Sequence, residues 1–204
     1  MLFRSTPFER CYVQAAAGDA GGAIGAAFET WRRIAPAKAR SFAMEHAYWG
    51  PSYDKGAIEA ALADRAADIA AAGCMPQRMD SEDALCRRTA AAIAQGRVIG
   101  WFQGRLEWGP RALGNRSILA DPRRADMKGI LNLKIKRRES FRPFAPSVLR
   151  EAAAEWFETE DDVPFMMQVF QIRAEKRAAI PAVTHVDGSG RLQTVEREIG
   201  RAHV

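Results

Sequence analysis

RVIGWFQGRLEWGPRALGNRSILAD, residues 97–121, decides the fold class. It opens on an apolar run of strand length, residues 97–104, and a continuous run of this kind predicts a strand buried on both faces. Arginines and glycines then alternate: Arg105, Arg111 and Arg116 punctuate Gly104, Gly109 and Gly114. Glycine lets the backbone come close to a bound group, and guanidinium forks can reach an anion from the sides. Residues 117–121 read as a second short strand that stops at Pro122. A glycine-rich basic loop directly after a buried strand lies where α/β folds place their ligands, and Asn115 and Ser117 add uncharged hydrogen-bonding groups there. The loop is therefore read as an anion site, phosphate being the anion its geometry suits.

The flanking text fixes the rest of the architecture. Upstream, residues 12–33 give a short apolar start, a loop through Gly18 and Asp19, and a helix rich in glycine and alanine. A basic, proline-containing connector (residues 34–40) follows. An alanine-rich helix then carries Ile58, Leu62 and Ile69, with Gly73 as its C-terminal cap. A further helix starts from Asp80 or Ser81 as N-cap, carries Leu85, Thr89, Ala92 and Ile93, and stops at Gly96. Downstream, Met127, Ile130, Leu131 and Ile135 form the apolar stripe of a helix over residues 124–136. PFAPSVL (143–149) reads as a buried strand, followed by a helix through Ala153 and Trp156 and an acidic loop at 158–162. An apolar strand over 165–172 and a final turn at 185–191 complete the pattern. Helices alternating with apolar strands predict an α/β domain.

Composition bounds the function. The chain has 204 residues, 48% of them apolar, enough to bury a full domain or one domain and part of another. A formal charge of +5 favours anionic partners: phosphorylated metabolites, nucleic acid or a membrane surface. Cys11, Cys74 and Cys86 are far apart and form no CxxC pair, which argues against a zinc site or a disulfide framework and for a reducing, cytoplasmic setting. No apolar run approaches the roughly 20 residues of a membrane span, and no signal sequence opens the chain.

Three further segments carry chemistry. KIKRRESFRP (134–143) concentrates Lys134, Lys136, Arg137, Arg138 and Arg142 at the end of the expected helix, where the dipole favours cations. With Phe141 interleaved, it also fits a groove that tracks a nucleic-acid backbone. Two basic loops in one small domain are expected to converge on a single polyphosphate. In AAGDAGGAIGA, Asp19 is either an N-cap or a metal ligand. His46 and His185 form no metal-ligand spacing, and His185, in THVDGSGRLQTV, reads as a loop histidine. Arg191 in the same turn is a further phosphate candidate.

GWFQGRLEWGPRALGNRSILADPRRADMK, LNLKIKRRESFRPFAPSVL and PAVTHVDGSGRLQTV together resemble the O-carbamoyltransferases that modify nodulation factors, cephem antibiotics and aminoglycosides. The likeness runs in order over nearly all of residues 10–197. Such enzymes join an N-terminal domain of the actin-like ATPase type to a C-terminal YrdC-like domain. The resemblance thus implies an α/β fold with a YrdC-like twisted mixed sheet and flanking helices, preceded by a truncated piece of the actin-like domain. The implied domains are 6–33 (remnant of the transferase domain), 34–80 (connector and helix) and 81–197 (YrdC-like). Residues 1–5 and 198–204 resemble translated adapter DNA, so the chain is expected to be a fragment with non-native ends.

The resemblance implies that carbamoyl phosphate and ATP are converted to carbamoyl adenylate, releasing phosphate and pyrophosphate, before the carbamoyl group passes to a hydroxyl. Carried over by motif, Arg111, Lys136, Arg142 and Arg191 are the expected carbamoyl phosphate and nucleotide contacts, the first three with catalytic roles. Asn115, Arg116, Ser117, Arg138 and Ser140 stand behind them. Asp19 matches an aspartate that helps to hold a divalent metal, magnesium or iron, whose histidine ligands would lie upstream of this chain. The expected partners are small-molecule substrates and the N-terminal transferase domain, without a membrane. The fragment is expected to be unable to complete transfer by itself. The alternative is an RNA-binding module related to the proteins that threonylcarbamoylate tRNA; arginines set in glycine loops beside apolar strands favour a small-ligand cleft over an exposed nucleic-acid stripe.

Overall fold

Capping chemistry sets the helices of the N-terminal half. In this computed structural model, which describes residues 6–7, 12–36 and 43–196, α1 spans Gly21–Ile34, α2 Lys55–Asp64, α3 Ala66–Ala71 and α4 Glu82–Ala94. Asp54 caps α2 by accepting from the Ala57 amide, and Ser81 caps α4 by accepting from the Ala84 amide, each side chain satisfying a donor that the first turn leaves open. Gly73 and Gly96 follow α3 and α4 in the left-handed region, at φ +67° and +82°. Asp19 caps nothing: α1 starts after Ala20 without a side-chain cap. The supposed foreign ends (1–5 and 198–204) and most of the basic connector lie outside the described residues. Among the described residues no helix is long and apolar enough to cross a membrane.

The architecture is mixed α/β with two small sheets. Strands β1 (Ile99–Phe102) and β2 (Arg116–Leu119) pair antiparallel as an isolated ribbon. This corrects the expectation of a strand buried on both faces. With one partner strand, β1 alternates half-buried Ile99 and Trp101 with exposed Gly100 and Phe102. The second sheet has the order β3-β5-β4, from β3 (Ser147–Leu149), β4 (Gln168–Gln171) and β5 (Ser189–Val195); β5 runs parallel to β3 and antiparallel to β4.

Residues 143–149 contribute only the three-residue edge strand β3, with Ser147 and Leu149 exposed. Pro143 and Pro146 cannot donate to a ladder, so pairing starts after them. The apolar stretch 165–172 is likewise a strand only from Gln168, because Met166 sits at φ +56°. The largest departure is β5, expected as a turn and found as the central strand. Gly188, at φ +78°, makes the turn, and the strand begins at the next residue.

The helix expected over 124–136 forms as α5 (Met127–Ile130) continued by a π-helical segment, Leu131–Lys136, and ends where Arg137 turns left-handed at φ +48°. Met127 and Leu131 are buried, while Ile135 is exposed. A short helix α6, Ala153–Trp156, follows β3.

The main core packs Phe157, Val163, Ile172, Ile180, Val183 and Leu192, so the Leu192 face of β5 is its floor. A second cluster joins Ala15, Met44 and Ala47 of the N-terminal segment to Leu113 and Phe165. Gln193, on the other face of β5, donates from Nε2 to the Leu113 carbonyl at 2.9 Å and ties the basic loop to the sheet. That face also carries Arg191.

Candidate anion-binding site

One carboxylate shapes the loop between β1 and β2. Glu107 Oε1 accepts from the backbone amides of Leu113, Asn115 and Arg116, at 2.9, 2.8 and 3.2 Å. Gly109, at φ +104°, passes so close to the N-terminal segment that a Cβ there would meet the Ala15 carbonyl at 2.8 Å. Only glycine fits.

The loop's arginines then divide by what they touch. Arg105 donates to the carbonyls of Gly50 and Trp49. Arg116 donates to the carbonyls of Gln103, Asn115 and Gly104, with its guanidinium 3.5 Å above the Phe102 ring. Asn115 is buried with its amide on the Arg105 carbonyl and its oxygen on Gln103, and Ser117 Oγ accepts from the Gly114 amide. These four side chains hold the loop. Arg111 differs: among the described residues its guanidinium has no hydrogen bond or ion pair, and its Nε is buried and unpartnered.

Arg191 matches it from the sheet. It is half-buried on β5, its Nε is also buried without a partner among the described residues, and its pKa is held below the ordinary guanidinium value by burial, then by the charges of Arg111 and Arg138. The third cation is set by Asn132. Fully buried in the π-helical segment, Asn132 donates to the carbonyls of Ser140 and Arg142 at 3.1 and 2.9 Å and accepts from Arg138 Nε at 2.7 Å. The Arg138 guanidinium also lies over the Phe144 ring.

Arg111 of the loop and Arg138 of the helix-end turn thus each lie near enough to Arg191 of the strand for their charges to act on it, with no carboxylate paired to Arg111 or Arg191 among the described residues. Like charges converging in a half-buried place are costly unless an anion joins them. Lys136 and Arg142 are not part of this convergence. Both are exposed on its basic flank, and Arg142 pairs with Glu139 at 2.8 Å. Ser140 is exposed too and contributes its carbonyl to Asn132.

His185, read from sequence as a loop histidine, borders the cluster. Its Nδ1 lies 3.0 Å from Ser189 Oγ, and its Nε2 is buried with no partner among the described residues. Burial lowers its pKa; Asp187 opposes that effect, while Arg191 and Lys128 add to it. Neither the unpartnered nitrogen nor the charges around it could be read from a single histidine in a glycine turn.

Two other features compete for attention. A cavity of about 700 Å³ lies between the N-terminal segment and the sheet, lined by Tyr12, Met44, Tyr48, Phe165 and Thr194 among others, but by none of the three clustered arginines. Its one arginine, Arg150, is already paired with Glu196 and Asp162. Asp19 is exposed, and no group of three His, Cys, Asp or Glu residues able to hold a metal occurs among the described residues. A single carboxylate does not by itself complete a divalent-cation site, which needs several ligands.

Comparison with known proteins gives this geometry a context. The family model described as carbamoyltransferase C-terminus matches residues 90–203. Nodulation protein NolNO of Sinorhizobium fredii is 47% identical over 206 residues, covering 99% of this chain and 29% of that protein. Nodulation protein NolO of Bradyrhizobium diazoefficiens is 42% identical over 207 residues, covering 99% of this chain and 36% of its own length. The 3'-hydroxymethylcephem-O-carbamoyltransferase of Amycolatopsis lactamdurans is 43% identical over 120 residues, 59% of this chain and 22% of that enzyme. The chain therefore spans about a third of the length of the curated relatives that match it end to end.

Proposed function

We propose, from the premise that this chain belongs to the carbamoyltransferase C-terminal family, that its arginine cluster binds carbamoyl phosphate beside ATP and supports formation of carbamoyl adenylate for transfer to a hydroxyl acceptor. The observation that carries this reading is the approach of the Arg111 and Arg138 charges to half-buried Arg191, with the Nε–H groups of Arg111 and Arg191 buried and unpartnered among the described residues. Carbamoyl phosphate and ATP are both multiply charged anions. Bringing them together requires concentrated positive charge, and nucleotidyl transfer is promoted mainly by positioning and by neutralising charge on the transferring oxygens.

In this reading Arg111, Arg138 and Arg191 hold the carbamoyl donor. Lys136, Arg142 and Ser140, on the exposed flank of the same basic segment, meet the nucleotide phosphates as those arrive. Asn115, Arg116 and Ser117 act by holding the loop. Residues 81–197 form the YrdC-like adenylating unit, and residues 6–33 and 34–80 lead into it from an actin-like transferase domain. That domain would supply the acceptor pocket and the remaining ligands of a metal that Asp19 helps to hold.

A second reading has one observation in its favour: Phe141, 74% exposed within the basic segment, could stack on a nucleic-acid base. Exchange of labelled pyrophosphate into ATP separates the two. An adenylating site exchanges only with carbamoyl phosphate present. Absence of exchange, together with RNA affinity that falls steeply with salt and ignores carbamoyl phosphate, would favour the RNA module instead.

A further inference from the structure

The turn that carries His185 fixes which ring nitrogen holds the proton. Ser189 Oγ lies 2.6 Å from Asp187 Oδ1, and the Ser189 amide donates to the same oxygen at 3.0 Å. A carboxylate only accepts, so the single hydroxyl hydrogen of Ser189 points to Asp187. Ser189 Oγ must then accept from His185 Nδ1, 3.0 Å away. The neutral ring consequently carries its hydrogen on Nδ1 and presents a lone pair at Nε2. That atom is buried and has no partner among the described residues.

A second proton on the ring is opposed first by burial and further by the charges of Arg191 and Lys128, while Asp187 favours it; the net direction is toward the neutral ring. The unpartnered buried groups around the cluster therefore differ in kind. Arg111 Nε and Arg191 Nε are donors, and His185 Nε2 is an acceptor. An acyl phosphate that is doubly ionised at neutral pH satisfies the donors through its phosphate, but those oxygens face the histidine lone pair without a hydrogen to share. Carbamoyl phosphate matches both kinds: its carbonyl and phosphate oxygens accept, and its amide nitrogen donates.

We infer that His185 is the residue by which this site recognises the amide end of the carbamoyl donor, Nε2 accepting from the carbamoyl N–H while the arginines hold the oxygens. The inference rests on the carbamoyl phosphate reading above and adds a specificity to it. Acetyl phosphate has nearly the same shape and charge but carries a methyl group where the amide stands. It leaves Nε2 unsatisfied.

The test is calorimetric titration of the protein with carbamoyl phosphate, acetyl phosphate and inorganic phosphate, for the parent and for His185→Leu and His185→Gln. The parent should prefer carbamoyl over acetyl phosphate by about tenfold or more, the cost of leaving a buried group unpaired. His185→Leu should erase that preference while still binding acetyl phosphate, which also reports that the variant is folded. His185→Gln, able to place an amide oxygen near the Nε2 position, should retain part of it. A preference that persists undiminished in His185→Leu would overturn this inference and leave the anion site standing. Failure of the parent to bind any of the three compounds would overturn both.

Discussion

At the scale of single residues, identical side chains in one loop have different duties, and burial with partners decides which. Arg116 gives its hydrogens to three backbone carbonyls, whereas Arg111, five residues earlier, has no such partner among the described residues. Arg116→Ala should therefore cost stability, about 1–3 kcal/mol in urea unfolding for carbonyls left unpaired in the loop. Arg111→Ala should cost little stability and at least tenfold in carbamoyl phosphate affinity.

Acid sensitivity is also a residue-scale matter. Asp121 is buried and its carboxyl is held below the ordinary aspartate value, first by the hydrogen bond from Arg123. A depressed folded-state pKa means that the unfolded chain binds protons first as pH falls. The pair's contribution is thus complete above the ordinary aspartate pKa and is lost as pH drops through the depressed value. Unfolding free energy measured down an acid series should show this loss, and Asp121→Asn should remove that part of the slope.

At the scale of elements, the sequence exposed the helices and hid the central strand. The cap at Ser81 and the stops at Gly73 and Gly96 are local signals that the structure bears out, but the single alanine-rich helix expected up to Gly73 is broken at Arg65 into α2 and α3, and its Asp54 cap was not read from the sequence. β5 was illegible because both its faces are buried although only Leu192 and Val195 on it are apolar. Gln193 and Thr194 are buried only through distant partners: Ser147 and the Leu113 carbonyl for one, Asp162 and the Val163 amide for the other. No window of neighbouring residues contains that information. The same holds for the site. The motifs pointed to arginines, but Arg191 and Arg111 are brought together by a sheet and a loop 80 residues apart, as the Gln193–Leu113 hydrogen bond records. Two organisers, Glu107 and Asn132, drew no attention as chemistry because they act on backbone rather than ligand.

Asn132 offers the element-scale test. Asn132→Ala removes its hydrogen bonds to Arg138, Ser140 and Arg142 and should destabilise the fold by about 1–3 kcal/mol. Since it also releases Arg138, carbamoyl phosphate affinity should fall. A variant that loses stability but binds as before would separate Asn132 from the site.

At the scale of the molecule, the burial is uneven. The sheet and its floor hold the main core, while α1, α2, α3 and α4 contain no fully buried residue among those described, and Ile58, Leu62 and Leu85 remain substantially exposed. The site sits where the well-packed half meets the basic loop, so the fold supplies rigidity to charges that repel one another. This is the pattern expected when structure is strained for a ligand: removing a functional charge should stabilise the empty protein.

The melting temperature of the parent and of Arg191→Met, each with and without carbamoyl phosphate, tests this most directly. Methionine keeps the buried stem and removes an unpartnered guanidinium. Without ligand the variant should melt no lower than the parent. With ligand at about 100 times its Kd, the parent should gain about 2.7 kcal/mol, and the variant at the same concentration much less. A variant that melts lower when empty, yet gains as much from the ligand as the parent, would contradict the claim that these arginines meet to hold an anion.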